Sequence, residues 1–115
     1  MKLNIIFVRV GTTRSGKVIP YASSSEDMGI IMRYLKKSEF SSDDLLDSFA
    51  LFSYLALRGI RRSDDKEIYE RYVESIEGIF DPQELSEAKD RANISSAFDL
   101  RDLGKSLAAI EFTDF

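Results

Sequence analysis

Hydrophobic and polar positions divide the chain into an extended start and a series of segments with helical period. Lys2–Val10 carries apolar residues on both faces of an extended chain, which predicts a strand covered on both sides. The residues on its two faces are Leu3, Ile5 and Phe7, and Ile6, Val8 and Val10. Gly11–Gly16 is rich in turn residues, and Lys17–Ala22 predicts a second strand. Pro20 places that strand near a sheet edge, because proline has no N–H for the ladder.

Two helices are predicted between the second strand and the middle of the chain. The first begins within Ser23–Ser25, and Ser23 has the spacing of a capping box with Glu26. The second begins at Ser41 or Ser42 and ends at Gly59, a natural C-terminal cap. The apolar positions are Met28, Ile31, Met32 and Leu35 in the first helix, and Leu45, Leu46, Phe49, Leu51, Phe52, Leu55 and Leu57 in the second. Because the second helix is apolar nearly all round, we expect it to be buried at the centre of the fold.

An Asp-Pro pair separates the third predicted helix from the fourth. The third begins at Ser63, and its apolar stripe runs to Phe80. Asp81 can cap the next helix, and Pro82 fits its first position, where a missing N–H costs nothing. The fourth helix is predicted to run to about Ala92.

The last predicted helix begins at Ser95 or Ser96. Its inward positions are Leu100, Leu103 and Leu107, and the apolar residues of the tail behind it are Ile110, Phe112 and Phe115. We expect the tail either as a short C-terminal strand or docked on the core. Together the elements predict an α+β, mainly helical fold, in which an N-terminal β-hairpin packs on a bundle of four to five helices. Residues 1–115 are expected to form a single domain.

The composition removes most routes to catalysis. The chain has 115 residues, and its 43% hydrophobic and 31% charged residues are ordinary for a folded domain. It contains no Cys and no His, which excludes disulfides, thiol nucleophiles, zinc sites with these ligands and an imidazole base. We therefore predict no catalytic, cofactor-binding or metal-binding residues and no enzymatic activity.

Neither a signal peptide nor a membrane span is expected. Arg9 interrupts the apolar start, and no small-residue cleavage site follows it. The most apolar stretch, Leu45–Leu57, contains Asp47 and is too short to cross a bilayer. The expected location is the cytoplasm.

The segment Gly11–Lys17 follows a strand and has the Gly-x-x-x-x-Gly-Lys spacing of a phosphate-binding loop. Such a loop needs a Ser or Thr after the Lys to hold magnesium, and a helix behind it. Here Val18 takes that position, and a strand-like stretch with Pro20 follows. We therefore interpret the segment as a hairpin loop that turns at Ser15–Gly16.

The triplet Asp47-Ser48-Phe49 is similar to the Asp-Ser-Leu attachment site of acyl carrier proteins. The resemblance implies a Ser that is exposed at a helix N-terminus and accepts a phosphopantetheine arm. Here the cap is better placed at Ser41 or Ser42, so Ser48 lies about a turn inside the helix. The chain also begins with strands, which a carrier bundle lacks. An ordinary helical serine is the preferred interpretation.

The net charge of −4 is unevenly distributed, since residues 1–40 carry +4 and residues 41–115 carry −8. Carboxylates recur at helical spacing beside the apolar stripe of the third predicted helix, and acids around the fourth helix extend the series. The candidate partner-binding residues are Asp64, Asp65, Glu67, Glu70, Glu74, Glu77 and Asp81. Two interpretations stay open: a solvated helix face, or a docking surface for a basic protein.

The leading functional hypothesis is a small acidic protein that binds and inhibits another protein. An enzyme that handles nucleic acid presents a basic cleft, which an acidic helix face can occupy. Toxin-neutralising immunity proteins, or antitoxins, and phage-type antagonists of nucleases belong to this class. The alternative is a structural or assembly protein that forms a homo-oligomer through the last helix and the tail. Direct nucleic-acid binding is not expected, because basic residues such as Arg58 and Arg61 lack interleaved aromatic residues.

Overall fold

The described part of the chain begins with a two-stranded antiparallel hairpin. A computed structural model describes residues 8–38, 40–61, 74 and 76–113. Strands β1 (Val8–Thr12) and β2 (Val18–Ala22) pair with Val10 opposite Pro20. The predicted hairpin is therefore confirmed, while residues 2–7 of the first predicted strand lie outside the described residues.

The loop between the strands is a short turn that closes on its own backbone. The Thr13 N–H donates to the Lys17 carbonyl at 2.8 Å, and the Gly16 N–H donates to the Thr13 carbonyl at 2.9 Å. Gly16 has a φ of 85°, a left-handed conformation that glycine adopts without strain. Because β2 follows this loop directly, the segment is a hairpin turn, as interpreted from the sequence, and not a strand-to-helix phosphate loop.

The two faces of the hairpin differ sharply in burial. Ile19 is fully buried and Tyr21 is 4% exposed, whereas Val8, Val10 and Val18 are 48%, 57% and 65% exposed. Opposite residues in the register share a face, so the three valines lie together on the outer one. The prediction that the first strand is covered on both sides is thus wrong for Val8 and Val10, because β1 packs against the last helix and leaves these two side chains about half exposed.

Helix α1 (Ser25–Lys36) begins within the predicted range Ser23–Ser25. Its N-cap is Ser24, whose hydroxyl accepts a hydrogen bond from the Asp27 N–H, so the predicted pairing of Ser23 with Glu26 is wrong. The sequence offers three consecutive serines, and the cap is the one that leaves the buried stripe from Met28 onwards facing the core.

Helix α2 (Ser42–Leu57) begins with a full capping box. The Ser41 hydroxyl accepts from the Asp44 N–H, and the Asp44 carboxylate accepts from the Ser41 N–H. Its C-cap is Arg58 in a right-handed conformation, so Gly59 is not the left-handed cap that the sequence predicted.

Helix α3 (Pro82–Arg91) is capped at both ends. Asp81 is the N-cap, and its carboxylate accepts from two backbone N–H groups, with Pro82 at the first position as predicted. Asn93 follows the helix with a φ of 59°. The Ile94 N–H then reaches back to the Lys89 carbonyl, which ends the helix in a Schellman arrangement.

Helix α4 (Ala97–Thr113) begins after Ser96 and continues into the tail. Ser96 and Asp99 form reciprocal capping bonds, which confirms the predicted start. Leu100 and Leu107 are buried, as expected. The backbone is helical to Thr113, so the short C-terminal strand is absent from the described tail; a continuous helix keeps its hydrogen bonds internal.

The core is centred on α2, which contacts each of the other helices described above and strand β2. Its closest neighbour is α4, where Gly104 lies against the backbone of Ala50. A Cβ added at Gly104 would lie 1.9 Å from the Ala50 carbonyl oxygen, so only glycine permits this approach. Most of the third predicted helix, residues 62–73 and 75, lies outside the described residues; Ile76 and Phe80 at its end are buried.

Candidate functional site

The candidate partner-binding acids that the structure describes are Glu74, Glu77 and Asp81. Glu74 is exposed. Glu77 is half-buried and binds Lys89 at 2.7 Å. Asp81 is exposed and caps α3, so one of its oxygens is occupied by backbone N–H groups. The other four candidates, Asp64, Asp65, Glu67 and Glu70, lie outside the described residues.

Helix α3 presents acids to solvent because little of it is apolar. Only Leu85 and Ala88 are buried in it. The remaining circumference projects away from the core, and it brings further acids beside those predicted. We call the resulting surface the acidic face; it consists of Asp81, Glu84, Glu87 and Asp90, all exposed.

The cations near the acidic face are already bound elsewhere in the protein. Residues 74–91 contain six acids and two basic residues, Lys89 and Arg91. Lys89 binds Glu77, and the Arg91 Nε donates to both carboxylate oxygens of Asp43 in α2, at 2.9 and 3.2 Å. Neither cation therefore neutralises the acidic face itself, and its negative potential is directed to solvent.

A shallow open groove of about 500 Å³ adjoins the acidic face. It runs between α3 and the turn that precedes it. Its lining residues are Glu77, Gly78, Phe80, Pro82, Leu85, Ser86 and Lys89. The groove gives the charged surface an apolar border, a combination common where proteins bind other proteins.

A second group of carboxylates is buried where the hairpin loop meets the N-terminal half of α2. Asp47 is 1% exposed. One of its oxygens accepts from the Arg14 backbone N–H at 2.8 Å, and the other accepts from the Arg14 Nε at 2.7 Å. A single loop residue thus fixes the carboxylate through its backbone and its side chain together.

Asp44, one turn earlier in α2, binds the rest of the loop. Its oxygens accept from the Ser15 hydroxyl at 2.9 Å and from the Lys17 ammonium at 3.1 Å. The Thr13 and Ser15 hydroxyls lie 2.9 Å apart, and the Thr13 hydroxyl also accepts from the Lys17 N–H. We call this set the loop–α2 network: Thr13, Arg14, Ser15, Lys17, Asp44 and Asp47.

The two buried carboxylates have pKa values shifted in opposite directions. Burial raises the pKa of Asp47, and the hydrogen bonds and charge of Arg14 only partly offset it. Burial also raises the pKa of Asp44, but hydrogen bonds from Lys17, Ser15 and Ser41 outweigh it, so the pKa ends below its ordinary value. Such divergent pairs occur in acid–base sites, but here all four carboxylate oxygens accept internal hydrogen bonds. The arrangement is therefore suited to fastening the loop to α2.

The loop–α2 network also defines what the Gly11–Lys17 segment does. In a phosphate-binding loop the lysine must reach a ligand. Here the Lys17 ammonium is bound to Asp44, and the Arg14 backbone N–H is bound to Asp47. The loop's donors thus point at α2.

Ser48 has a structural contact in place of the exposure that a carrier-protein serine needs. It is 0% exposed, and its hydroxyl donates to the Pro20 carbonyl at 2.7 Å. The interpretation of Ser48 as an ordinary helical serine agrees with this position. Its hydrogen bond joins α2 to strand β2.

Sequence reasoning missed the loop–α2 network, although a signal for it was present. Asp44 and Asp47 lie in a helix that is apolar nearly all round, so burial of that helix forces at least one acid inward. A buried acid needs donors, and the preceding loop supplies Arg14 and Lys17. The partners could not be assigned because the spacing of about 30 residues carries no periodic signal.

The described residues also bear on metal binding and on membrane insertion. No group of three or more acidic, His or Cys side chains there is arranged to hold a metal ion. None of the helices found in that part of the chain combines the length and the apolar character needed to span a membrane.

Comparison with family models, with curated proteins and with solved structures finds no match to this chain.

Proposed function

We propose that this protein binds a basic surface of another protein through its acidic face. The observation that carries the proposal is that both nearby cations are already ion-paired. Lys89 binds Glu77 and Arg91 binds Asp43, and neither acid belongs to the acidic face. A merely solvated helix usually interleaves its acids with lysines or arginines that neutralise them locally. Within residues 81–91 the four acids of the acidic face are accompanied by two basic residues, and both of these bind acids outside the face.

The chemistry of the surface favours fast association with a cationic partner. Exposed carboxylates with little local neutralisation raise the rate at which a basic surface is encountered, and salt screens this effect. The adjoining groove, with Phe80 and Leu85 in its lining, offers apolar area that a bound partner can cover.

Within this class, we propose an inhibitor of a nuclease or another nucleic-acid enzyme, such as a toxin-neutralising immunity protein or a phage-type antagonist. Basic clefts are the common property of such enzymes. The proposal includes no catalytic activity, no cofactor and no direct binding to nucleic acid, and it places the protein in the cytoplasm. The predicted acids Asp64, Asp65, Glu67 and Glu70 lie outside the described residues, and their part in binding stays a prediction.

The experiment starts from the basic protein that co-purifies with this chain from its native host, produced separately. Its affinity for the wild type and for Glu84→Lys is measured by titration calorimetry at low and high salt. Glu26→Lys is the matched control, because Glu26 and Glu84 are both exposed acids in the first turn of a helix.

We expect Glu84→Lys to weaken binding at least about tenfold and to flatten its salt dependence, with Glu26→Lys close to wild type. Glu84→Lys combined with Glu87→Lys should weaken it further. Equal affinities for the wild type and the two single-site variants would reject the acidic face. An effect of the same size at Glu26 would show that net charge alone matters, and would also reject it.

The second candidate function is assembly into a homo-oligomer. The three exposed valines on the outer face of the hairpin favour it, because soluble monomers rarely leave such residues together on a sheet. The side chains of Phe112 and Phe115, which the sequence suggested for this role, lie outside the described side chains. This candidate uses a different surface from the acidic face.

A further inference from the structure

The outer edges of β1 and β2 differ in how their backbone N–H and carbonyl groups are hydrogen-bonded. Val10 lies opposite Pro20, which has no N–H to donate. The Pro20 carbonyl accepts from Ser48 of α2, so the backbone polar groups of Pro20 point away from β1. Val10 is therefore in a pair that makes no hydrogen bonds within the hairpin, and its own N–H and carbonyl point to the opposite edge.

The outer edge of β2 is blocked at Pro20 and Ala22. Pro20 removes one N–H, Ser48 occupies the Pro20 carbonyl, and the Ala22 N–H contacts the Met28 sulfur at 3.5 Å. Proline and covering helices are the devices by which proteins protect sheet edges.

The outer edge of β1 has neither device. By alternation, Val8, Val10 and Thr12 each direct an N–H and a carbonyl outward. Among the described residues, none of these groups has a hydrogen-bond partner. Val8 and Val10 are about half exposed, and β1 contains no proline. A row of unpaired backbone groups beside exposed β-branched side chains is suited to pairing with another strand.

We propose that two copies of this chain associate by antiparallel pairing of β1 with β1, about a two-fold axis at Val10. The two hairpins then form one four-stranded sheet. Val10 pairs with Val10 of the second copy, and Val8 pairs with Thr12 at each end. All outward groups of the three residues gain partners.

The register is fixed by hydrogen bonding and by charge. An axis at Gly11 would leave Val8 without a partner. An axis at Arg9 would set the two arginines directly opposite each other, which is unfavourable. With the axis at Val10, Arg9 lies opposite Gly11 of the second copy, where no side chain competes for space.

A second copy fits this edge better than an unrelated strand because the edge is self-complementary. Val8 and Thr12 flank Val10 symmetrically, so one sequence satisfies both sides of the pairing. The exposed valines of both copies, Val8, Val10 and Val18, also join into one continuous apolar face. The acidic face lies on α3 and is not part of this pairing, so the inference is independent of the proposed binding to a basic partner and rests on the second candidate function, assembly into a homo-oligomer.

The first test uses analytical ultracentrifugation of the full chain over a concentration series. We expect the wild type to shift from monomer to dimer with rising concentration. Val10→Pro removes an outward N–H without touching the β1–β2 ladder and should remain monomeric. Val10→Thr keeps that N–H and should still dimerise. Circular dichroism checks that each variant is folded.

The second test uses a single cysteine, since the chain has none of its own. Hydrogen-bonded partners have Cα atoms about 5.5 Å apart, within the range that a disulfide spans. Val10→Cys should therefore form a covalent dimer under mild oxidation at least about tenfold faster than Val18→Cys, which is equally exposed on the same face but away from the axis.

A wild type that stays monomeric throughout the concentration series would overturn the proposal. So would a folded Val10→Pro that dimerises like the wild type, or equal cross-linking rates for the two cysteine variants. If Val10→Pro does not fold, the cysteine comparison decides by itself.

Discussion

Helices α2 and α3 both carry several carboxylates, but they use them in opposite ways. In α2, Asp44 and Asp47 are 3% and 1% exposed and fasten the hairpin loop to the helix. In α3, Glu84 and Glu87 are exposed, because Leu85 and Ala88 are its only buried residues. The comparison teaches that the apolar surroundings of an acid decide whether it holds the fold together or is available to a partner.

The largest effect is expected where α2 meets α4. Gly104→Ala would place a methyl group 1.9 Å from the Ala50 carbonyl oxygen, a backbone atom that cannot move without shifting α2. We expect a loss of about 3 kcal/mol or more in the free energy of unfolding, measured by urea denaturation.

The control for this substitution is Gly29→Ala in α1. Its Cβ would lie 3.8 Å from an Ile79 methyl carbon, an ordinary contact, and alanine favours helix by about 1 kcal/mol. Gly29→Ala should therefore be neutral or stabilising. Equal destabilisation of the two variants would contradict the close approach at Gly104.

A matched pair of serines tests the difference between α2 and α3 directly. Ser48→Ala leaves the partly buried Pro20 carbonyl without its donor, which should cost about 1–2 kcal/mol in unfolding free energy. Ser86→Ala, at an exposed position in α3, should change it by less than about 0.5 kcal/mol. Urea denaturation of both variants measures the difference, and similar losses would show that α2 is not the more strongly constrained helix.

The pH dependence of stability should separate the two buried acids. The lowered pKa of Asp44 means that its contribution is present above the ordinary value of 3.8 and is lost as pH falls through the folded pKa. The raised pKa of Asp47 works in the opposite sense, so stability falls as pH rises from 3.8 through its folded pKa.

Urea denaturation across a pH series checks these signs. Asp44→Asn should flatten the slope of unfolding free energy against pH below 3.8. Asp47→Asn should flatten the slope just above that value. Exposed Glu87→Gln serves as the reference for carboxylates of the acidic face. Unchanged slopes in both asparagine variants would contradict the opposed shifts.

The smallest effect is expected at the exposed ion pair that links α3 to α2. Arg91 and Asp43 are about half exposed, and pairs of this kind contribute little because water screens them. Arg91→Ala should lower the unfolding free energy by at most about 1 kcal/mol, again by urea denaturation. A loss as large as that of Gly104→Ala would show that the junction of α2 with α3 is much more important than its exposure indicates.

Periodicity was enough to predict the hairpin, the order of the helices and the central position of α2, because each depends on local alternation of apolar residues. Periodicity did not identify the residue that caps a helix where neighbouring residues can each take that position. The cap of α1 is Ser24 rather than Ser23, and the end of α2 uses Arg58 rather than Gly59. The extension of α4 to Thr113 replaced a predicted strand because loose alternation in a short tail does not distinguish the two.

For the two groups of carboxylates, the sequence did not reveal the contacts between elements. The acidic series was visible in the sequence, but the involvement of Glu77 with Lys89 and of Asp81 with the α3 cap depends on contacts between elements. The loop–α2 network joins residues about 30 positions apart. Sequence spacing indicates that Asp47 is buried but not which donor it meets.

The most direct test of the account compares two isosteric neutralisations, Asp47→Asn and Glu87→Gln, by urea denaturation near neutral pH. Each removes one carboxylate charge and keeps the shape of the side chain. We predict a loss of about 1–3 kcal/mol for Asp47→Asn, since the amide nitrogen cannot accept a hydrogen bond and leaves one Arg14 N–H group without its acceptor, and a change below about 0.5 kcal/mol for Glu87→Gln. Losses of equal size would contradict the claim that the buried acids hold the fold while the acidic face is available for binding.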